Sequence, residues 1–383
     1  MKITETIKYI GVDDTDIDLF ESQYIVPNGI SYNSYVILDE KIAVMDTCDK
    51  RKMNEWFENL ENTLEGKTPD YLVISHLEPD HAGSIGAFCE KYPDTTLVVN
   101  DKMLKMLPQF FNCQFEHRSI VVKEGDELSL GSHTLSFYMA PMVHWPEVMV
   151  TYEKSEKVLF SADGFGKFGA ISCDESWDCE ARRYYINIVG KYGMQVQNLL
   201  KKASTLDIEI ICPLHGPVLT ENLGHYIEKY DIWSSYRPEN EGVVVAFASI
   251  HGNTAEAAKH IALEIEKTGT KVSVFDLARD DWAEAVEDAF RYDRLICAAA
   301  TYDGFMFPPM EKFLSTLKKK SYQKRKVALV ENGSWAPMAG KLMREYFESF
   351  KEIDLYDKTL SIKSTLKDSQ ADEVQALVDF MVK

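Results

Sequence analysis

Four side chains that can bind a metal ion stand close together, directly after an apolar stretch. His76, Glu78, Asp80 and His81 follow residues 71–74 in the run Ser-His-Leu-Glu-Pro-Asp-His. A strand that ends in a loop rich in ligands is a natural place to build a metal site. Carboxylate oxygen is a harder ligand than imidazole nitrogen, so Glu78 shifts the preferred metal towards iron or manganese.

Three more residues of the same kind each stand in the loop just beyond a predicted strand: His144, Asp163 and His215. In a stacked αββα architecture such loops converge on one edge of the sheets. A two-metal site needs about four ligands for each ion, counting a shared bridge. One metal can take His76, Glu78, His144 and Asp163. The second can take Asp80, His81, His215 and Asp163 as the bridge.

A lone histidine after a strand is usually structural, so the ordered combination carries more weight than any of its parts. The other histidines with no such context are interpreted as surface or packing residues: His117, His133, His225 and His260. Asp46, at the end of a predicted strand, either orients a ligand histidine or occupies a turn.

A loop near the middle of the chain has the composition of a phosphate site. It joins a predicted strand to a helix and contains Ser249, Ile250, His251, Gly252, Asn253 and Thr254. Backbone N–H groups at a helix N-terminus bind phosphate. The loop lacks Gly-Lys-Ser/Thr and GxGxxG, which favours FMN over a nucleoside triphosphate or a dinucleotide. An ordinary helix cap is the alternative interpretation of this loop taken alone.

Two further loops follow the next central strands of the same region. Their residues are Thr301, Tyr302, Asp303 and Gly304 in one, and Asn332, Gly333, Ser334 and Trp335 in the other. In a flavodoxin-like sheet these loops lie beside the phosphate loop, where the strand order reverses. Tyr302 and Trp335 offer flat faces to an isoalloxazine ring, or are packed aromatic side chains. His251 either tunes the flavin or caps its loop.

The elements that must position these residues form two domains, 1–240 and 241–383. In the first, strands are predicted at 35–38, 42–45, 71–75, 96–99, 133–138, 157–161 and 208–212, with a helix over 178–202. After a polar linker at 235–242, strands are predicted at 243–249, 271–275, 294–300, 326–331 and 360–363, with helices between them. This alternation predicts a doubly wound parallel sheet, so the fold class is α/β.

Composition narrows the class of protein. The 383 residues are 45% hydrophobic and carry a formal charge of −19, which argues against a nucleic-acid or anionic-membrane surface. Seven cysteines without a CxxC pair indicate reduced thiols rather than a disulfide framework. With no basic-then-apolar N-terminus and no long apolar run, we expect a cytoplasmic protein without a membrane span.

The layout of these motifs resembles that of the flavodiiron proteins over nearly the whole chain. His76-x-Glu78-x-Asp80-His81 followed by His144, Asp163 and His215 matches their di-iron ligands. Zinc hydrolases with the same fold typically show H-x-H-x-D-H. The resemblance implies an N-terminal αββα metallo-β-lactamase-like sandwich followed by a C-terminal flavodoxin-like domain. In some members of the family the histidine at the position of His81 is not an iron ligand.

The same resemblance implies an FMN-dependent di-iron oxidoreductase that reduces O2 to water, NO to N2O or both, protecting an anaerobe. It also implies a head-to-tail homodimer or a tetramer, in which the FMN of one subunit lies close to the di-iron site of the other. The chain lacks a rubredoxin-like CxxC module, so a separate rubredoxin is the expected electron donor, with a deazaflavin cofactor as an alternative. The basic stretch 318–326 is either a docking surface for the donor or a solvated helix end.

Two competing functions belong to other classes. A zinc hydrolase with a non-catalytic flavodoxin-like domain would turn over esters and need no FMN. A redox-binding module would reduce its flavin without consuming O2 or NO. Glu78 counts against the hydrolase, and the full set of seven ligands counts against the module.

Overall fold

Two compact units make up the chain in the computed structural model, which describes residues 2–112 and 115–383. The first unit comprises Met1–Tyr185 and Met194–Asp231, and the second comprises Ile186–Gly193 and Ile232–Lys383. The division into domains at residue 240 stays a prediction. Within residues 2–112 and 115–383, every helix is too short or too polar to span a lipid bilayer.

The first unit contains two sheets. The strands of one sheet and of two short ribbons are β1 (Ile7–Tyr9), β2 (Val12–Asp14), β3 (Leu19–Phe20), β4 (Tyr24–Ile25), β5 (Ile30–Tyr32), β6 (Tyr35–Ile37), β7 (Ala43–Met45), β8 (Tyr71–Val73), β9 (Thr96–Val99) and β10 (Ser119–Val121). The sheet order is β1-β6-β7-β8-β9-β10, with β7 to β10 parallel. The antiparallel ribbons are β2–β5 and β3–β4.

The second sheet has the order β11-β12-β13-β14-β15. Its strands are β11 (Glu127–Ser129), β12 (Thr134–Met139), β13 (Met149–Glu153), β14 (Val158–Phe160) and β15 (Ile210–Cys212). Only the β14–β15 pair is parallel. In each sheet the central strands are buried on both faces, so they are apolar runs rather than alternating ones.

The α-helices among the described residues before residue 240 are α1 (Met53–Leu64), α2 (Pro79–Ala82), α3 (Ile85–Lys91), α4 (Asp101–Phe110), α5 (Trp177–Tyr184), α6 (Gly193–Ala203) and α7 (Leu223–Ser234). Short 3₁₀ turns cover Lys50–Lys52 and Glu116–Arg118. The helix α1 turns Trp56, Leu60 and Leu64 inwards at intervals of four residues, which is the spacing of one helix face.

The prediction of one continuous helix over 178–202 is wrong, because the helix is interrupted. A π turn at Tyr185–Val189 and a 3₁₀ turn at Gly190–Tyr192 separate α5 from α6. All of residues 181–190 are buried, so this stretch has no solvent-facing side to give the sequence a regular period. Two glycines, Gly190 and Gly193, weaken the preference for an unbroken α-helix.

The second unit is a parallel sheet covered by helices. Its strands are β16 (Asn240–Ala248), β17 (Val272–Asp276), β18 (Tyr292–Tyr302), β19 (Phe305–Met306), β20 (Gln323–Asn332) and β21 (Lys351–Ile362). Its helices are α8 (Asn253–Glu266), α9 (Trp282–Arg291), α10 (Pro308–Lys319), α11 (Ala339–Glu348) and α12 (Ala371–Val382), with a 3₁₀ turn at Asp368–Gln370. The order β17-β16-β18-β20-β21, all parallel, confirms the predicted doubly wound α/β sheet.

Packing of α8 provides a test of this core. Ile261 is fully buried in the apolar cluster beneath α8, whereas Leu263 on the same helix is 55% exposed. Ile261→Ala should lower the free energy of unfolding by about 2–5 kcal/mol because it leaves a cavity. Urea unfolding followed by circular dichroism measures the change. Leu263→Ala is the matched control, and an equal loss in both variants would contradict the assigned packing.

Candidate functional site

The seven predicted metal ligands follow strands of the first unit, five of them in loops and two on one short helix. His76 follows β8, and the short helix α2 begins with Pro79 and carries Asp80 and His81. The fixed φ of proline suits the first position of a helix, so the sequence starts α2 at this point. The other three ligands follow strands of the second sheet or lie between them: His144, Asp163 and His215.

The structure brings four of these residues into one group. The Nε2 atom of His144 lies 2.9 Å from Oε2 of Glu78 and 3.2 Å from Oδ2 of Asp163. The Nε2 atom of His76 lies 3.3 Å from the same Glu78 oxygen and 3.5 Å from the same Asp163 oxygen. Four side chains therefore direct one donor atom each towards a common point.

The remaining three ligands form a second group around the other oxygen of Asp163. The Nε2 atoms of His81 and His215 lie 3.1 Å apart, and each is within 3.3 Å of Oδ2 of Asp80. Oδ1 of Asp163 lies 3.2 Å from Nε2 of His81 and 3.9 Å from Nε2 of His215. The two oxygens of one buried carboxylate thus face two separate groups of ligands.

These donor atoms fit a pair of metal ions. Ligands that share one metal with bonds of about 2.1 Å lie roughly 3–3.4 Å apart, close to most of the separations here. Both carboxylate oxygens of Asp80 and of Asp163 are buried and accept no hydrogen bond. Buried charge without hydrogen bonds is costly unless it is paired or binds a metal.

Two ligand histidines are oriented by groups that the sequence did not reveal. Nδ1 of His76 lies 2.8 Å from Oε1 of Glu147, and this oxygen also accepts the N–H of Leu77 at 3.0 Å. Nδ1 of His215 donates to the backbone carbonyl of Ser31 at 2.7 Å. Such contacts fix the ring orientation and leave Nε2 to bind a metal. Glu147 stands in the same loop as His144, which is the only sequence signal that could have indicated it.

Asp46 is buried and has φ of 56°. Its Oδ1 accepts the backbone N–H of Ser75 at 2.6 Å, next to the first ligand. The carboxylate therefore supports the loop that carries His76, whereas the contact to the ring itself belongs to Glu147. Burial raises the pKa of Asp46 to about 6, although the bonds to Ser75 oppose this effect.

The pKa shifts of the ligand residues show that the buried carboxylates stabilise positive charge beside them. Burial alone would lower the pKa of His144, but contacts with Asp163 and Glu78 outweigh it and raise the pKa to about 9. Burial alone would raise the pKa of Asp163, but the rings of His76 and His144 hold it well below its usual range. Metal binding to such a site displaces protons from the histidines.

A third group of potential ligands, His133 with Glu153 and Glu156, is a packing network. Nδ1 of His133 lies 2.8 Å from Oδ2 of Asp39. The carboxylate of Glu153 accepts two backbone N–H groups, and that of Glu156 accepts the hydroxyl of Thr6 at 2.9 Å. The donors are already used, as expected for a packing histidine.

The second unit has a cleft of about 570 Å³ at the carboxyl ends of its central strands. Thirteen of the fourteen residues predicted to bind the flavin line it: Ser249, Ile250, His251, Asn253, Thr254, Thr301, Tyr302, Asp303, Gly304, Asn332, Gly333, Ser334 and Trp335. Gly252 does not line the cleft but has φ of 100° and precedes α8. Only glycine adopts this backbone conformation at little cost. Three residues that the sequence analysis missed complete the wall: Ala300, Ala336 and Ser364.

Hydrogen bonds link the loops that form the cleft. The amide of Asn332 donates to Oγ1 of Thr254 at 3.2 Å and to the carbonyl of Ser364 at 2.8 Å. Oγ1 of Thr301 accepts the N–H of Met338 at 2.9 Å, just before α11. These side chains shape the walls, while Trp335 is 83% exposed and presents its ring to any flat ligand.

Comparisons with known families match both units. Residues 30–216 match the ODP family beta lactamase, and residues 244–356 match a flavodoxin domain. An uncharacterized protein of Methanocaldococcus jannaschii is 30% identical, over 96% of this chain and 94% of the relative. An anaerobic nitric oxide reductase flavorubredoxin of Vibrio vulnificus is 29% identical, over 87% of this chain and 70% of the relative.

Solved structures are similar over the full length. The rubredoxin oxygen:oxidoreductase of the anaerobe Desulfovibrio gigas has a TM-score of 0.93 at 25% identity, covering 100% of this chain and 97% of the other. The flavodiiron protein of Giardia intestinalis has a TM-score of 0.92 at 24% identity, covering 100% and 96%. At 24% identity, the similarity to the Giardia protein supports the fold alone.

The contact between Glu147 and His76 predicts a loss of metal affinity on mutation. Glu147→Gln keeps the size of the side chain but removes the charge that orients the ring, and should weaken metal binding roughly 10- to 100-fold. Competition with a chelator measures the affinity. Glu124→Gln, at an exposed position, is the control. Equal affinity in both variants would show that Glu147 does not support the site.

Proposed function

From the premise that this chain belongs to the flavodiiron protein family, we propose that it is an FMN-dependent di-iron oxidoreductase that reduces O2 to water, NO to N2O or both. One observation carries the proposal: the two oxygens of Asp163 face two separate groups of metal ligands. A hydrolase of this fold needs no flavin cleft, and a flavin carrier needs no paired metal groups. Their presence in one chain supports transfer of electrons from the flavin to the metals.

The ligand groups determine which residues would hold the metals. All donors are nitrogen or carboxylate oxygen and none is sulfur, which suits iron. One iron would take His76, Glu78, His144 and Asp163, and the other Asp80, His81, His215 and the same bridge. When bound, the pair of ions supplies electrons and open positions for both reacting atoms of the substrate.

The cleft of the second unit would hold FMN. Backbone N–H groups at the start of α8, together with Ser249 and Thr254, would bind the phosphate. Tyr302 and Trp335, on separate loops, would contact the ring. The hydroquinone form of FMN would supply two electrons on being reoxidised, and the protein's part is to place and tune the flavin.

The electron count fits both substrates. Two ferrous ions and one FMN hydroquinone together hold four electrons. Four electrons and four protons convert one O2 to two H2O, and two electrons and two protons convert two NO to one N2O and one H2O. The side chains that surround the reaction are almost entirely buried, including His76, Asp163 and His215. Such burial keeps bulk water away from the reacting atoms.

The proposal extends to partners and setting. A rubredoxin is the proposed electron donor, with a deazaflavin as the alternative, and the rubredoxin oxygen:oxidoreductase of D. gigas supports the first. We further propose a head-to-tail homodimer or a tetramer in the cytoplasm of an anaerobe. This proposal of a dimer or tetramer is based on the resemblance to the flavodiiron proteins.

Several basic side chains of the stretch 318–326 form hydrogen bonds within the second unit. Lys324 donates to the carbonyl of Ser235 at 3.1 Å, and Arg325 is buried and donates to the carbonyl of Tyr292 at 2.7 Å. Lys326 donates to the carbonyl of Phe380 at 3.3 Å. These contacts within the second unit favour the interpretation as a helix end rather than a docking surface.

Asp163→Ala tests the bridge directly. The variant should lose its iron and its consumption of O2 and NO but keep FMN, because the flavin cleft lies in the other unit. Metal analysis, flavin absorbance and gas uptake on the same preparation measure the three properties.

Asp174→Ala is a suitable control, since Asp174 is exposed and follows in the same region of the chain. The control should retain iron, FMN and gas uptake. An Asp163→Ala protein with two irons and full turnover would refute the assigned role of Asp163.

A further inference from the structure

An apolar cavity lies beside the metal-ligand groups, between the second sheet and α6. Residues from β13, β14 and α6 and from two ligand-bearing loops form its wall, among them Val143, Val150, Leu159, Phe165, Val196 and Leu199. Its volume, taken as the space that the centre of a water molecule can occupy, is about 20 Å³. This is room for about one small molecule.

Of the four polar side chains in the wall, all but Tyr138 form hydrogen bonds within the protein. The hydroxyl of Ser161 donates to the carbonyl of Gly164 at 2.6 Å, and the hydroxyl of Tyr230 accepts the N–H of Phe165 at 2.6 Å. The ammonium of Lys202 donates to the carbonyl of Met139 at 2.9 Å. A water molecule needs two to four polar partners, so a cavity with such a wall favours an apolar occupant.

The inner end of the cavity adjoins the ligands themselves. Val143 directly precedes His144, and Gly164 directly follows Asp163, and both line the cavity. The wall of the cavity therefore includes immediate chain neighbours of two ligands of the first group.

The outer end adjoins the surface. An open groove of about 620 Å³ runs along α6 and shares three wall residues with the cavity: Tyr138, Leu199 and Lys202. Leu199 is only partly buried, and the ammonium of Lys202 lies at the protein surface beside Glu124. Groove, cavity and ligand loops therefore follow one another from solvent to the site.

We propose that this cavity binds small, neutral, apolar molecules and is the path by which a gaseous substrate reaches the metal ligands. The proposal rests on the proposed function for the identity of the substrate, O2 or NO. Its physical basis is independent of that function, since any small apolar molecule gains dispersion contacts in a dry apolar cavity.

Xenon is the first probe, because it occupies dry apolar cavities and takes no part in redox chemistry. Crystals of the metal- and flavin-loaded protein under xenon pressure should show one anomalous peak among Val143, Leu159 and Val196. No peak in this cavity would overturn the proposal, while the proposed function would still stand on iron, FMN and gas consumption.

A bulky substitution tests the path. Ala203, the last residue of α6, lines the cavity and is only partly buried, so Ala203→Phe fills it from the outer side. This variant should lose the xenon peak and raise the apparent KM for the gas about tenfold with kcat unchanged, because access is impeded and chemistry is not. Ser204→Phe adds the same ring at the exposed neighbouring position outside the cavity and should behave like the unmodified protein.

The outcomes separate the two proposals. Loss of xenon with an unchanged KM in Ala203→Phe would overturn the path. Equal rises in KM for both phenylalanine variants would also overturn it, because a ring outside the cavity would then act as strongly. Xenon bound in a protein that consumes neither gas would support the binding site and contradict the proposed function.

Discussion

The buried carboxylate of Asp163 is the constraint on which the first unit depends. Its two oxygens accept no hydrogen bond and face ligand nitrogens on both sides. A buried negative charge is stable only beside positive charge, here protonated histidines or metal ions. The neighbouring histidines respond to the same charge, since the pKa of His144 is raised to about 9. The site is therefore arranged around cations.

The fold brings the ligands to this carboxylate because strands of both sheets of the first unit end close to it. β8 of the first sheet leads to His76, and β14 and β15 of the second lead to Asp163 and His215. Loops tolerate polar side chains that strands buried on both faces do not, so the ligands cluster where the strands stop. The parallel sheet of the second unit follows the same rule for its flavin cleft, at the ends of β16, β18 and β20.

The sequence predicted the features that depend on residue type and order. The ligand types after strand ends indicated the site, and regular strand–helix alternation indicated the parallel sheet. The role of Glu147 was missed, because it contacts His76 across 71 positions of the chain and only its place in the loop of His144 could have indicated it. The break at Tyr185–Val189 was missed because every side of that stretch is buried. The last strand was predicted over 360–363 but begins at Lys351, where polar residues hide the pattern.

The most direct test of the account is the iron and flavin content of protein purified without oxygen. Two groups of ligands that share Asp163 predict about two irons per chain, and the cleft of the second unit predicts about one FMN. Zinc in place of iron, without stoichiometric FMN, would contradict the account and indicate a hydrolase.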